Sequence, residues 1–540
     1  MRPRGYLALV LHAHLPFVRH PEHEIFLEED WLFEAITETY IPLLHAFEGM
    51  ARDGVPFRTT MSISPPLVAM LCDDILCARY WTYLTRLREL IGKELVRNRD
   101  HGHLSYLANH YRERTDAAIA TWQWTGGNLV GAFAALQDAG HLDILTCAAT
   151  HGYLPLMQTH PEAVWAQVKV GVDHYAEHFG RPPSGIWLPE CGYYPGLDTL
   201  LAEAGLRYFI SDTHALLLAR PRPQFGNYAP IYTAESAVAV FGRDLESSMQ
   251  VWSREHGYPG DQIYREFYRD IGFDLGQDYI SPYVQPNGLR KNTGIKYHRI
   301  TGRASHKELY DPYWAREKAA EHAANFVSSR ERQIEHLWGA MGQPPIVVSP
   351  YDAELFGHWW YEGPWWLDLV LRKAVYDQQT YGLTHLAGYL HEHPTHQVCR
   401  LAQSSWGDRG FHEFWLNGTN EWIYPHLHRS AEQMVALARA LPEAGGVVRR
   451  ALNQAARELL LAQSSDWAFI MRTGTTVDYA VQRTRSHLRR FARLEQEIRE
   501  GRIDQDWLGR VEHLDNIFSN LDYRVYLGPD APARGNAPPC

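Results

Sequence analysis

Ile346-Val347-Val348-Ser349-Pro350-Tyr351-Asp352-Ala353-Glu354-Leu355-Phe356-Gly357-His358-Trp359-Trp360 sets the reading of the whole chain. The β-branched start, with no polar residue before Ser349, predicts a strand buried on both faces, the kind that fills parallel sheets. Carboxylates and aromatic rings follow where the strand stops. That combination suits a sugar site, in which a carboxyl group protonates a glycosidic oxygen and flat apolar rings meet the C–H faces of pyranoses. Taken alone, the segment also fits a plain structural reading, with the aspartate capping the next helix and the tryptophans in a core.

Working outward, seven short apolar or β-branched runs end in polar residues: Tyr6 to Leu11, Phe57 to Ser62, Leu142 to Cys147, Gly185 to Leu188, Arg207 to Ser211, Ser248 to Trp252 and Ile346 to Ser349. Helical patterns such as Trp31 to Met50, Ala163 to His178 and Leu197 to Ala204 separate most of them. The alternation predicts α/β architecture with a parallel sheet. Seven units suggest a barrel related to the eight-stranded one, where chemistry gathers at the C-terminal strand ends. His12 and His14 follow the first run, His151 the third, Glu190 the fourth and Asp212 the fifth; Trp252 closes the sixth, and Asp352 follows the seventh.

The expected domain division is a catalytic barrel from 1–70 and 138–400, a helical insertion at 71–137, a helical C-terminal domain at 401–528 and a disordered tail at 529–540. A second excursion, Asp261 to Tyr313, reads as irregular. The C-terminal region is read from apolar residues at helical spacing, including Met434, Leu437, Leu452, Ala456 and Leu459.

Composition narrows the function. With 540 residues and 45% hydrophobic content the chain can bury a large core. A formal charge of -11 argues against a nucleic-acid phosphate backbone as partner. The six cysteines show no CxxC pair, which argues against a disulfide framework or a zinc ribbon and fits a reducing cytoplasm. No stretch approaches the length of a membrane span. The 18 Trp and 30 Tyr are the kind of aromatic loading carbohydrate enzymes use.

A second acid stands in Gly185-Ile186-Trp187-Leu188-Pro189-Glu190-Cys191-Gly192-Tyr193. Pro189 cannot donate a ladder hydrogen bond, so it ends the strand and turns Glu190 out over the barrel mouth. Retaining glycosidases use two carboxyl groups about 5 to 5.5 Å apart, one as nucleophile and one as acid then base. For Glu190 alone, a helix cap or a surface ion pair is the plainer fate. Its convergence with Trp187, His12, His14, His151 and Asp352 on one face favours chemistry.

His12-Ala13-His14-Leu15-Pro16, Ala149-Thr150-His151-Gly152-Tyr153-Leu154-Pro155, Trp187-Leu188-Pro189-Glu190, Ser349-Pro350-Tyr351-Asp352 and Ser405-Trp406-Gly407 closely resemble, in order, the motifs of glycoside hydrolase family 57. Val251-Trp252-Ser253, Gly257-Tyr258-Pro259-Gly260, Glu354 to Trp360 and Ser465-Asp466-Trp467 resemble segments of the family's 1,4-α-glucan branching members. The resemblance implies an incomplete (β/α)7 TIM-like barrel with a helical insertion and an all-helical C-terminal domain. It implies branching of an α-glucan such as amylose or glycogen, with amylase or 4-α-glucanotransferase activity as the alternative, and no metal or organic cofactor. By the same resemblance Glu190 matches the nucleophile and Asp352 the general acid/base. Arg243, Gly260, Trp406 and Asp466 match glucan-binding positions, and His12, Trp252 and Trp415 match residues lining the groove.

Trp406 and Trp415 then serve as acceptor platforms, or else cement the barrel to the C-terminal helices. Branching members carry a loop after strand five with a tyrosine at its tip, thought to guard the intermediate from water. Here that loop, Ala219 to Pro230, offers Phe225 at the nearest alignment and Tyr228 three residues on, which bears on the ratio of transfer to hydrolysis. Two rival readings are a metal-dependent amidohydrolase built on His12 and His14, which leaves Glu190 and the tryptophans without a role, and a non-catalytic glucan-binding protein, which leaves both acids without one.

Overall fold

The computed structural model describes residues 3–252, 257–285, 287–302 and 306–529. Ser253 of the Val251-Trp252-Ser253 motif and the tail from 530 onward lie outside the described residues. The strands, in chain order, are β1 Gly5–Ala13, β2 Thr59–Ile63, β3 Leu142–Cys147, β4 Gly185–Trp187, β5 Tyr208–Ser211, β6 Ile231–Thr233, β7 Ala239–Gly242, β8 Ile346–Asp352, β9 Tyr381–Leu383 and β10 Gln397–Cys399. The chain forms two compact units. The first comprises the chain up to Ser62, Met70–Ile144 and Arg243–Thr395; the second comprises Ile63–Ala69, Leu145–Gly242 and the chain from His396.

In the first unit β1 and β8 run parallel, in register from Tyr6↔Ile346 to His12↔Asp352, and β9 runs parallel to the start of β1. Leu7 to Leu11 and Ile346 to Val348 are buried, as expected of strands covered on both faces. Pro350 leaves that strand one donor short, and Ser349 spends its hydroxyl on Ser247 Oγ at 2.6 Å. The helices Asp74–Arg97, Gly102–Trp124 and Leu129–Asp138 belong to this unit. Asp73 and Asn128 cap two of them through Leu76 N and Gly131 N. Among the described residues between Asp261 and Asp311 the only helices are short turns, such as Ile271–Asp274 and Gln277–Ile280, and the buried Asp270 ties several of these segments together. Its carboxylate accepts from Gly272 N, Thr293 N, Thr293 Oγ1 and Gly294 N at 2.7 to 3.0 Å.

The second unit orders its strands β10-β6-β7-β5-β4-β3. All pairings are parallel except β6 with β7. Between Tyr424 and Leu514 this unit is mostly helical, with Tyr424–Ala440, Gly446–Ala462, Ser465–Thr473, Val477–Glu500 and Gln505–Leu514. The second and fourth of these helices pack on each other through stripes that include Leu452, Ala455, Leu459, Ala480, Phe491 and Leu494, all buried. Parallel strands with helices between them in both units make the fold class α/β.

One expected strand is wrong. Ser248 to Trp252 is the end of a helix, Leu245–Trp252. Asp244 starts it by accepting from Ser247 N at 2.8 Å, and Ser248 donates back to Asp244 O at 2.7 Å. Ser247, Ser248 and Val251 are its buried face, a helical spacing rather than an alternating one. Trp252 therefore ends a helix, half exposed, instead of closing a strand. The strand that precedes it in the chain is β7, and β6, β9 and β10 are also additions to the seven runs read from the sequence.

Candidate active-site residues

In the first unit, the pairing of β1 with β8 sets Asp352 opposite His12 at the end of the ladder. Glu354 follows in a short turn, Ala353–Leu355, and is fixed from two sides. Tyr40 donates its hydroxyl to Glu354 Oε1 at 2.5 Å, and His14 N donates to the same oxygen at 3.1 Å. Burial pushes the Asp352 carboxyl up to about 7, the negative charge of Glu354 adds to the rise, and His14 and Arg243 oppose it. Burial likewise pushes Glu354 up to about 7, against the Tyr40 hydrogen bond. An aspartate in this setting keeps a proton at a pH far above the ordinary aspartate range, which is what a general acid requires.

The neighbours are well anchored. His12 is buried, with Nδ1 3.3 Å from Ser62 Oγ, and its ring stacks with His14 at 5.7 Å between centroids. Arg243 bridges to Val348 beside β8, and its Nε donates to Ser248 Oγ at 3.1 Å. Gly260 is the exposed end of the turn Tyr258–Gly260, whose other two residues are half-buried.

In the second unit, Glu190 sits in the turn Pro189–Cys191 directly after β4. Its φ is 61° and that of Cys191 is 51°, left-handed conformations that cost non-glycine residues roughly 1 to 3 kcal/mol each. The turn is held by Cys191 N to Leu188 O and Trp406 N to Glu190 O, both at 2.9 Å. Trp406 also donates its indole N–H to Glu190 Oε2 at 2.7 Å, and its half-buried ring meets the fully buried Trp187 edge-on at 5.0 Å. On the other oxygen, Ser465 Oγ lies 3.5 Å and His151 Nδ1 4.0 Å from Glu190 Oε1. His151 Nδ1 and Ser465 Oγ are 2.8 Å apart, and His151 is itself left-handed at φ 58°. A carboxylate carried on a left-handed backbone and held on one oxygen by an indole N–H is fixed in place, as a nucleophile must be.

Asp466 accepts from Ser464 Oγ at 2.5 Å. Trp415 is buried, with its ring stacked on Tyr153 at 4.4 Å. Tyr153 in turn bonds His412 Nδ1 at 2.7 Å. Phe225 and Tyr228 are half-buried in the loop before β6. Gln224 N donates to Gln397 Oε1 at 2.8 Å and Arg220 pairs with Arg400, which ties that loop to β10.

The structure thus gathers His12, His14, Arg243 and Asp352 in one unit and His151, Trp406, Asp466 and Glu190 in the other. The sequence reading passed over Tyr40, Glu354 and Ser465 as site residues. Glu354 and Ser465 lie inside motifs already quoted, one or two positions from a nominated acid; nothing local to Tyr40 signals its partner 314 residues on.

Residues 8–402 match glycosyl hydrolase family 57, and residues 426–526 match the C-terminal region of 1,4-α-glucan branching enzymes. The chain belongs to glycoside hydrolase family 57. It is 36% identical to a 1,4-α-glucan branching enzyme of Thermococcus kodakarensis, over 98% of this chain and 79% of that one. Among solved structures, the α-amylase AmyC of Thermotoga maritima superposes with a TM-score of 0.91 at 46% identity, covering 97% of this chain and 99% of that one. The family 57 branching enzyme of Thermococcus kodakaraensis, solved in complex with glucose, does so with a TM-score of 0.87 at 35% identity, covering 97% of both. The fold class is therefore the family's α/β one with a helical C-terminal region, as the sequence implied.

Proposed function

We propose that the protein is a 1,4-α-glucan branching enzyme, a retaining transglycosylase with Glu190 as nucleophile and Asp352 as general acid/base. The observation that carries this reading is the presence in one chain of the family 57 catalytic region and the branching-enzyme C-terminal region. Glu190 attacks the anomeric carbon of an α-1,4-linked glucose as Asp352 protonates the departing 4-oxygen, leaving a covalent glycosyl-enzyme. Asp352, now ionised, removes the proton of a 6-hydroxyl on an acceptor chain, and an α-1,6 branch forms. The indole N–H of Trp406 holds Glu190 in place, and its ring is the acceptor platform we favour, since Trp415 spends its ring on Tyr153. Arg243, Gly260, Asp466, His12, His14, His151 and Trp252 contribute to glucan binding. The barrel at 1–70 and 138–400 carries catalysis, with the insertion at 71–137 and the helices at 401–528 shaping the groove. No cofactor enters any step, and Phe225 and Tyr228 limit access of water. Among the described residues no helix is long and apolar enough to cross a membrane, and the sparse cysteines favour the cytoplasm.

A second reading has a specific observation behind it, the 46% identity to a structure described as an α-amylase. The two acids are the same in both enzymes' chemistry, so only the competition between hydroxyl and water separates them. Incubation with amylose is expected to produce more α-1,6 linkages than reducing ends. Reducing ends in excess would make the protein an amylase.

The pH profile tests the acid. The first step needs Asp352 protonated, so kcat/KM is expected to fall as pH rises through about 7, the value to which burial and Glu354 push it. Glu354→Gln removes a neighbouring negative charge and moves this alkaline limb to lower pH. An unmoved limb in that variant would exclude Glu354 from tuning the acid.

A further inference from the structure

The first unit contains a cavity of about 370 Å³ that shares no lining residue with the surroundings of Asp352. Its walls include Glu24, Ile25, Leu87, Leu90, Val284 and Thr293. Rings of Phe26, Phe33, Tyr83 and Tyr283 face it. So do two ion pairs: Lys291 Nζ reaches both oxygens of Asp30 at 2.7 and 2.8 Å, and Arg79 binds Glu29 at 2.6 Å. Asp30 and Glu29 are both buried residues.

Two consecutive buried carboxylates are costly to desolvate, and one cation each returns only part of that cost. Each carboxylate has about four acceptor directions. Glu29 spends its own on Arg79 and on the His20 N–H at 2.9 Å, whereas Asp30 meets Lys291 and the Gln285 side chain and keeps a direction for a ligand that donates hydrogen bonds. The charged residues lining the cavity balance, with Glu24, Glu29 and Asp30 against Arg79, Arg86 and Lys291. A balanced lining with its inner charges already paired selects neither an anion nor a cation. It suits a neutral molecule with many hydroxyls and an apolar face, and the cavity lies within the usual range of small-ligand sites, about 300 to 1,000 Å³.

We propose that this cavity is a second carbohydrate-binding site, taking one or two glucose units of an α-1,4-glucan with their hydroxyls on Asp30, Lys291 and Arg79 and a C–H face on Tyr83. It rests on the substrate class proposed above and adds a second grip on the chain. Such a grip raises the effective concentration of a long glucan at the catalytic residues and does nothing for a ligand too short to span both sites.

Thr82 and Ala78 line the cavity from the exposed side of one helix, so Thr82→Trp or Ala78→Trp fills the space without removing a buried partner. In calorimetric titration of the Glu190→Gln protein with maltoheptaose, two binding events are expected. Adding Thr82→Trp removes one and leaves the other. In the otherwise unchanged enzyme, Thr82→Trp is expected to raise KM for amylose about 10-fold while kcat holds. Ala78→Trp gives the same result from an independent position, with circular dichroism confirming that each variant folds. A titration and a KM that neither tryptophan alters would overturn the proposal, as would a parent protein with a single binding event. If the cavity binds maltoheptaose but the wild type builds no branches, the binding site stands and the branching reading falls.

Discussion

Glu190→Gln is expected to lower turnover of amylose by about 10⁴-fold or more, because the amide retains the shape of the carboxylate and loses the charge that attacks the anomeric carbon. Trp406 Nε1 can still donate to the amide oxygen, so the turn after β4 keeps its grip and folding is preserved. Asp352→Asn is expected to cost about 10²- to 10⁴-fold on the same substrate, the usual range for loss of a general acid. The two variants separate on a substrate whose leaving group needs no proton. With a maltooligosyl fluoride, fluoride departs unaided, so Asp352→Asn completes the first step and stalls before the second. Its glycosyl-enzyme accumulates, and intact-mass measurement followed by peptide mapping places the added glucan on Glu190. Glu190→Gln forms no adduct with either substrate. An adduct mapped to another residue would remove Glu190 from its role. Loss of the fluoride reaction in a folded Asp352→Asn protein would mean that Asp352 does more than move a proton.

Much of this was legible in the sequence, and the misses have physical reasons. β3 begins and ends at the residues read from the sequence, and β1 and β8 extend theirs by a few, because uninterrupted apolar and β-branched runs have few other uses. Glu190 was legible through Pro189, which marks where a strand must stop pairing. Ser248 to Trp252 misled because Met249, Val251 and Trp252 resemble a strand when taken alone. The deciding signal was Asp244, a helix-starting carboxylate four residues upstream, and the half-exposed indole shows how little core the segment supplies. Burial of Trp415 under Tyr153 had no local signature, since an indole that stacks on a tyrosine and one that stacks on a sugar are the same residue in a sequence. The tuning of Asp352 by Glu354 depends on Tyr40, in a π-helical turn, Ile36–Tyr40, far away in the chain, and pairings of that separation are set by the fold.

That π-helical turn makes Gly357 the most demanding position near the acid. Gly357 has φ +113°, and a Cβ there would lie 1.7 Å from the carbonyl oxygen of Glu38 and 2.7 Å from its carbon. The obstacle is backbone, which no rotamer change can move aside. Both sides are also pinned: Gly357 N donates to Trp360 O at 2.7 Å, the Glu38 side chain holds His358 Nδ1 at 2.9 Å and Arg265 at 3.1 Å, and Tyr40 two residues on holds Glu354. Gly357→Ala must therefore part the turn from the loop after β8, adding left-handed strain of about 1 to 2 kcal/mol to an overpacking cost of about 1 to 3 kcal/mol or more. A loss of about 4 kcal/mol is expected in urea unfolding, with kcat falling as Tyr40 releases Glu354. Gly276→Ala is the control, since a Cβ there meets nothing within 4 Å and its φ is ordinary; it should unfold and turn over like the parent. If Gly357→Ala matched that control, the close approach of the loop to the turn would not be what fixes Glu354 beside the acid.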